Sequence, residues 1–229
     1  VDVPAVGVKA AGGALVYGAA DAGGELVLQA ALYGMLRTFG PDALNVYALD
    51  FGSESLRAFA AAPQVGDVIC TADEERVRRF FDFIEAVQVE RRRVLAEYGG
   101  SFARFLAAGG RMPAIAVLVN DIAAFLEAYP KLEDAMVRLT REAGRYGIHL
   151  VMTADGTSSV RVRMRQSFRH VLAVNLADET DYSMIFGSMR GVSIPRGFGR
   201  GLVRSGEALL EFQAAHLAED GDDYGCAAA

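Results

Sequence analysis

Short, unbroken aliphatic runs recur through this chain with longer amphipathic segments between them, and that alternation restricts the fold more than any other feature. Ala14 to Tyr17 (ALVY), Asn45 to Leu49 (NVYAL), Ile115 to Val119 (IAVLV), Ile148 to Thr153 (IHLVMT) and Val171 to Val174 read as strands. A run with no polar interruption implies burial on both faces, the condition of a strand in a parallel sheet covered by helices. The expected class is therefore α/β, a mostly parallel sheet flanked by helices on both faces. IAVLV, which follows Pro113, reads as its central strand.

Helical spacing fills the intervals. Leu26 to Phe39 ends at the stop signal Gly40-Pro41. In Asp73 to Tyr98, the residues Val77, Phe80, Phe81, Ile84, Val87 and Val94 recur on one face before Gly99-Gly100. Lys131 to Tyr146 and Asp178 to Phe186 are further helices, Leu202 to Val203 a further strand, and the glycine-rich Gly187 to Gly201 a loop. With 229 residues, 52% of them hydrophobic and 23% charged, the chain can bury one substantial core. Residues 1–215 are expected to form one domain, and the acidic, then alanine-rich, tail 216–229 to be flexible. The lack of an initiator Met suggests a segment of a larger protein. No apolar run approaches the roughly 20 residues that span a bilayer, so any membrane anchor is expected elsewhere.

Between ALVY and the first helix lies Gly18-Ala19-Ala20-Asp21-Ala22-Gly23-Gly24-Glu25, where an α/β nucleotide-binding protein carries its phosphate loop. The working pattern G-x-x-x-x-G-K-[ST] cradles phosphates on backbone N–H groups, neutralises them with Lys and holds Mg²⁺ with the hydroxyl. Gly18 and Gly23 keep the framing positions, while Gly24 replaces the Lys and Glu25 the hydroxyl. A second strand normally ends in acidic residues for Mg²⁺ and the attacking water. Here IAVLV runs into Asn120-Asp121, with a neutral residue in the first place and Asp121 as a weak catalytic candidate. At about 5 Å and an effective dielectric near 20, each like-charge pair between Glu25 and a phosphate costs about 3 kcal/mol. ATP and Mg²⁺ are accordingly expected to bind weakly or not at all, and the isolated domain to be an inactive or very weak ATPase. A Glu in a first helical turn is also favoured by the helix dipole, whatever the ancestry of the loop.

Other residues offer little chemistry. The net charge of -6 opposes nucleic-acid binding, which needs clustered cations. Cys70 and Cys226 lack C-x-x-C spacing, so no metal site is expected. His149, His170 and His216 form no triad. Arg91, Arg92 and Arg93 read as a solvated or ion-paired stretch of helix. Arg161, Arg163 and Arg165 alternate, as a solvated face does or as an arginine that reaches a neighbour's phosphate in a ring motor. Only Lys9 and Lys131 could replace the missing lysine from within the chain.

The degenerate loop, IAVLVND, GIHLVMTADGTSSVRVRMRQSF, NLADETDYSMIFG, GFGRGLV and ALLEFQAA together resemble FtsK/SpoIIIE-type ATPase domains. The likeness is greatest to the tandem cytoplasmic ATPase modules of the type VII secretion motor, the EssC/EccC/YukB group, and runs from about Val6 to Ala215. The resemblance implies a RecA-like P-loop NTPase fold, with Thr153 near a sensor position. It also implies a cytoplasmic domain of a membrane-anchored bacterial motor, with adjacent ATPase domains and small helical ESX-type export substrates as partners and a hexamer as the assembly. Gly24, Glu25 and Asn120 depart from the active pattern, which places the chain with the degenerate modules that serve regulation or recognition of an export signal. The alternative is a weak or active ATP-hydrolysing motor domain, for protein export or, against the acidic balance, for DNA translocation.

Overall fold

A computed structural model of the protein describes residues 13–206 and 208–216. Among the described residues, eight strands form one sheet: β1 (Ala14–Tyr17), β2 (Leu44–Asp50), β3 (Val65–Cys70), β4 (Ala114–Asn120), β5 (Ile148–Ala154), β6 (His170–Val174), β7 (Arg200–Ser205) and β8 (Ala208–Gln213). Their order is β3-β2-β4-β5-β1-β6-β7-β8. The ladders from β3 to β6 are parallel, and β7 and β8 add an antiparallel hairpin at the β6 side. Strand β5 separates β1 from β4, so the C-terminal ends of all three open toward the same edge.

Among the described residues, seven α-helices cover the two faces: α1 (Gly24–Thr38), α2 (Glu74–Leu95), α3 (Phe102–Ala107), α4 (Ile122–Ala128), α5 (Glu133–Glu142), α6 (Val162–Arg165) and α7 (Glu179–Phe186). On one face Leu28, Leu32 and Met35 of α1 and Phe102 and Phe105 of α3 pack with Ala114, Ala116 and Leu118 of β4. On the other, Val77, Phe80 and Ile84 of α2, Phe125 of α4, Met136 of α5 and Tyr182 of α7 pack with Ile115, Val117 and Val119. Successive β4 residues thus alternate between two cores, as the period of a strand requires, and every one of them is buried. The unbroken apolar run has its physical cause here.

Several boundaries depart from the pattern reading. The helix expected over Asp73 to Tyr98 begins at Glu74, because the Asp73 carboxylate caps it by accepting from Arg76 N at 3.1 Å, and it gives way to a 3₁₀ turn at Ala96–Tyr98. Val94, assigned to its buried face, is 36% exposed, and Leu95 and Arg91 are buried instead. Arg91 is the clearest correction. Only 5% exposed, it donates to the carbonyls of Tyr146 (2.7 Å), Gly147 (3.3 Å) and Pro113 (2.7 Å), and burial lowers its pKa to about 10. The segment Lys131 to Tyr146 divides into α5 and flanking 3₁₀ turns. The expected loop Gly187 to Gly201 stops at Gly199, and β7 begins at Arg200. Lys9, Cys226 and tail residues 217–229 lie outside the described residues.

Candidate functional site

The glycine loop emerges from β1 between two strands and takes its first bonds from their continuations. Gly18 N donates to Ala154 O at 2.9 Å and Ala19 N to Asn175 O at 2.8 Å, and Ala22 N closes the turn on Ala19 O at 3.1 Å. Asp21 and Gly23 have positive φ, 60° and 89°. Each framing glycine has a steric reason to be one. A Cβ on Gly18 would lie 2.3 Å from Val174 Cγ2, and one on Gly23 2.3 Å from the main-chain nitrogen of Gly199. Gly24 is different, since a Cβ there meets nothing within 4 Å. Among the described residues, the main-chain N–H groups of Gly23, Gly24 and Glu25 have no acceptor, as expected for the first turn of a helix.

The ends of β2, β4 and β5 are joined by a chain of buried hydrogen bonds. Asp50, at 0% exposure, accepts from Leu56 N at 2.8 Å and from Asn120 Nδ2 at 2.8 Å. The Asn120 carbonyl oxygen accepts from the Thr153 hydroxyl at 3.0 Å, and that hydroxyl accepts from Asp121 N at 2.8 Å. Asp121, at φ 63°, then caps α4 by accepting from Ala124 N at 3.0 Å. Every link has a donor facing an acceptor, which is what a buried polar network requires. Asn120 does more here than lack a charge. Its amide is the donor that the buried Asp50 carboxylate needs, and a second carboxylate in that place would offer none. Asp121, the candidate for polarising water, has a capping role that accounts for its position.

These parts enclose an open cleft of about 380 Å³. Of the residues singled out in the sequence, Gly18, Ala19, Ala20, Asp21, Gly23, Gly24, Glu25, Asn120, Asp121 and Thr153 line it, and Ala22 is buried behind them. Gly52, Ser53, Ala154, Asp155 and Phe198 complete the lining. Ser53, on the loop after β2, donates its hydroxyl to the Glu25 carboxylate and so holds that side chain against the N-terminus of α1. Four carboxylates, those of Asp21, Glu25, Asp121 and Asp155, line the cleft, with no Lys or Arg among the described lining residues. Among the described residues the backbone turn is present, and no lining side chain carries a positive charge. Asn120 is engaged by both Asp50 and Thr153. Among the described residues, no cluster of three or more His, Cys, Asp or Glu side chains is placed to hold a metal.

The remaining candidates stand away from the cleft lining. Arg161 pairs with Glu133, Arg163 is exposed, and Arg165 donates to Met184 O at 3.4 Å. Lys131 is exposed on the 3₁₀ turn before α5. His149 and His170 sit on β5 and β6, where burial pushes both pKa values down. Cys70 is a buried free thiol raised by burial. Asp50 was missed although it directly follows NVYAL, since only the pairing of β2 with β4 makes it a partner of Asn120. Ser53 and Phe198 carried no local signal.

Comparison with known proteins identifies the family and the fold. The FtsK/SpoIIIE family model matches residues 5–209. The ESX secretion system protein EccC of Thermomonospora curvata is 27% identical over 204 residues, which is 85% of this chain and 15% of that relative. The chain therefore spans a small part of the relatives it matches. Among solved structures, Thermomonospora curvata EccC (ATPases 2 and 3) in complex with a signal sequence peptide superposes with a TM-score of 0.76 at 25% identity, over 90% of this chain and 38% of that one. EssC (ATPases 2 and 3) from Geobacillus thermodenitrificans gives 0.79 at 20% identity, over 89% and 39%. The fold is that of RecA-like P-loop ATPases.

Proposed function

The chain belongs to the FtsK/SpoIIIE family, and from that premise we propose that it is a catalytically deficient ATPase-fold module of a type VII protein secretion motor. It acts through protein contacts, by regulating neighbouring ATPase modules or by recognising the signal of an exported substrate. The observation that carries this reading is the cleft lining: among the described residues, four carboxylates and no Lys or Arg where a triphosphate would have to sit. Repulsion of about 3 kcal/mol for each close like-charge pair makes such a cleft a poor nucleotide site, even with its backbone turn intact. Adjacent modules of the same polypeptide and small helical ESX-type proteins are the partners in this reading, and a hexameric, membrane-anchored motor is the setting. No described helix is long and apolar enough to cross a membrane; in this reading the anchor is supplied elsewhere in the motor.

Titration of the chain with labelled C-terminal peptides of small helical export substrates tests the recognition arm. Saturable binding that Mg-ATP does not change is the expected result. ATP turnover by the chain alone contradicts the proposal. One observation favours the alternative of a weak ATPase completed from outside: Gly23, Gly24 and Glu25 still present unaccepted N–H groups, and space remains beside Gly24 for a lysine from elsewhere. Turnover that appears only when neighbouring modules are added would select that reading.

A further inference from the structure

The glycine loop is anchored at both ends, and its second anchor leads away from the cleft. The carbonyl of Ala22 accepts from Gly199 N at 2.9 Å, and the carbonyl of Gly199 accepts from Ala214 N at 2.8 Å. Ala214 is the first residue after β8. Two main-chain bonds in series thus connect the loop to the point where the chain leaves the sheet. The packing at this junction is glycine on glycine. A Cβ on Gly23 would fall 2.3 Å from Gly199 N and 2.7 Å from its Cα. One on Gly199, itself at φ 66°, would fall 2.9 Å from Leu26 Cδ2 and 3.3 Å from Ala214 Cβ. Side bonds fix the same segment, from Asn175 Nδ2 to Gly197 O at 3.0 Å and from Gln213 Nε2 to Phe198 O at 3.1 Å. Between the two glycines Phe198, 50% exposed, lines the cleft, with its ring centroid 6.0 Å from that of His216.

We propose that Gly197, Phe198 and Gly199 form a strap that couples the conformation of the glycine loop to the position of the chain leaving β8. No side chain cushions the contact between Gly23 and Gly199, so a displacement at Ala214 is not absorbed by a rotamer change and reaches the loop as a backbone shift. The coupling is reciprocal, as any linkage between two sites must be. A partner that repositions residues 214–216 alters the loop, and an occupant of the cleft that displaces Phe198 alters the exit of the chain. This holds whether or not the cleft turns over nucleotide, so it stands apart from the proposed loss of hydrolysis.

Amide hydrogen exchange, resolved by NMR on the full chain, tests the strap from both ends. Gln213→Ala removes an exposed side chain at the exit, and exchange of Ala22 N–H and Gly199 N–H is expected to accelerate about five- to tenfold, the equivalent of one hydrogen bond. Gly23→Ala perturbs the loop, and Ala214 N–H is expected to accelerate by a similar factor while the amides of Val117 and Val119 in β4 keep their protection. Should Gly23→Ala weaken β4 as well, the Gln213→Ala arm decides. Unchanged exchange at Ala22 in Gln213→Ala overturns the proposal, as does unchanged exchange at Ala214 in a folded Gly23→Ala.

Discussion

Asn120→Asp restores the residue type that an active site of this fold would carry, and the structure sets its cost. Asn120 is 4% exposed, and its amide nitrogen lies 2.8 Å from a carboxylate oxygen of the fully buried Asp50. Two ionised carboxylates at that separation repel by roughly 6 kcal/mol at an effective dielectric of 20. Placing a proton between them instead costs about 4 kcal/mol at pH 7 for a carboxyl of ordinary acidity, so the protonated pair is the lower state. The folded variant then holds a proton that the unfolded chain lacks, and its stability falls as pH rises, by up to about 1.4 kcal/mol per unit. Urea denaturation should show a loss of about 4 kcal/mol at pH 7 and about 1.5 kcal/mol at pH 5, where the shared proton is easier to hold. Asn120→Ala, which introduces no charge, should cost about 1–3 kcal/mol with no such dependence. An Asn120→Asp variant as stable as the parent at pH 7, or one with a penalty independent of pH, would refute the assignment of Asn120 as the donor to Asp50.

Further outcomes follow from the same contacts. Gly24→Lys with Glu25→Ser should raise Mg-ATP affinity at least a hundredfold, since a Cβ at Gly24 has open space and removal of one repulsive pair is worth about 3 kcal/mol; calorimetry that finds no gain would show that the turn cannot cradle phosphate. Arg91→Met should destabilise the fold by about 3 kcal/mol in urea, because three carbonyls lose their donor; a loss under 1 kcal/mol would count against the clamp. Burial and the nearby Arg91 hold His149 below its ordinary 6.5, so the unfolded chain binds the proton more readily and stability falls as pH drops below that value. His149→Gln should flatten this slope by up to about 1.4 kcal/mol per pH unit, and a parent stability that is level between pH 7 and 5 would contradict it.

The strands and the cleft were legible where a single stretch of sequence carried its own signal. ALVY and IAVLV announce strands buried on both faces, and the residues just beyond them, Gly18 to Glu25 and Asn120-Asp121, had to lie at strand ends. Thr153 was located by resemblance, and the structure gives it a physical role as the bridge between Asn120 and Asp121. What could not be read depends on pairing across distance. Asp50 acquires meaning only once β2 lies beside β4, and Gly199 only once the hairpin β7–β8 returns it to the loop. Strand β3 was missed because Gly66 and Asp67 interrupt its apolar run, which an edge position tolerates. Arg91 was misread because a run of arginines suggests solvent, and nothing local shows that three carbonyls await one of them.

The charge of the cleft is the point on which the functional reading turns, and calorimetric titration of the chain with Mg-ATP measures it directly. No saturable heat up to millimolar nucleotide and no phosphate release are expected. Micromolar binding accompanied by turnover would contradict the reading.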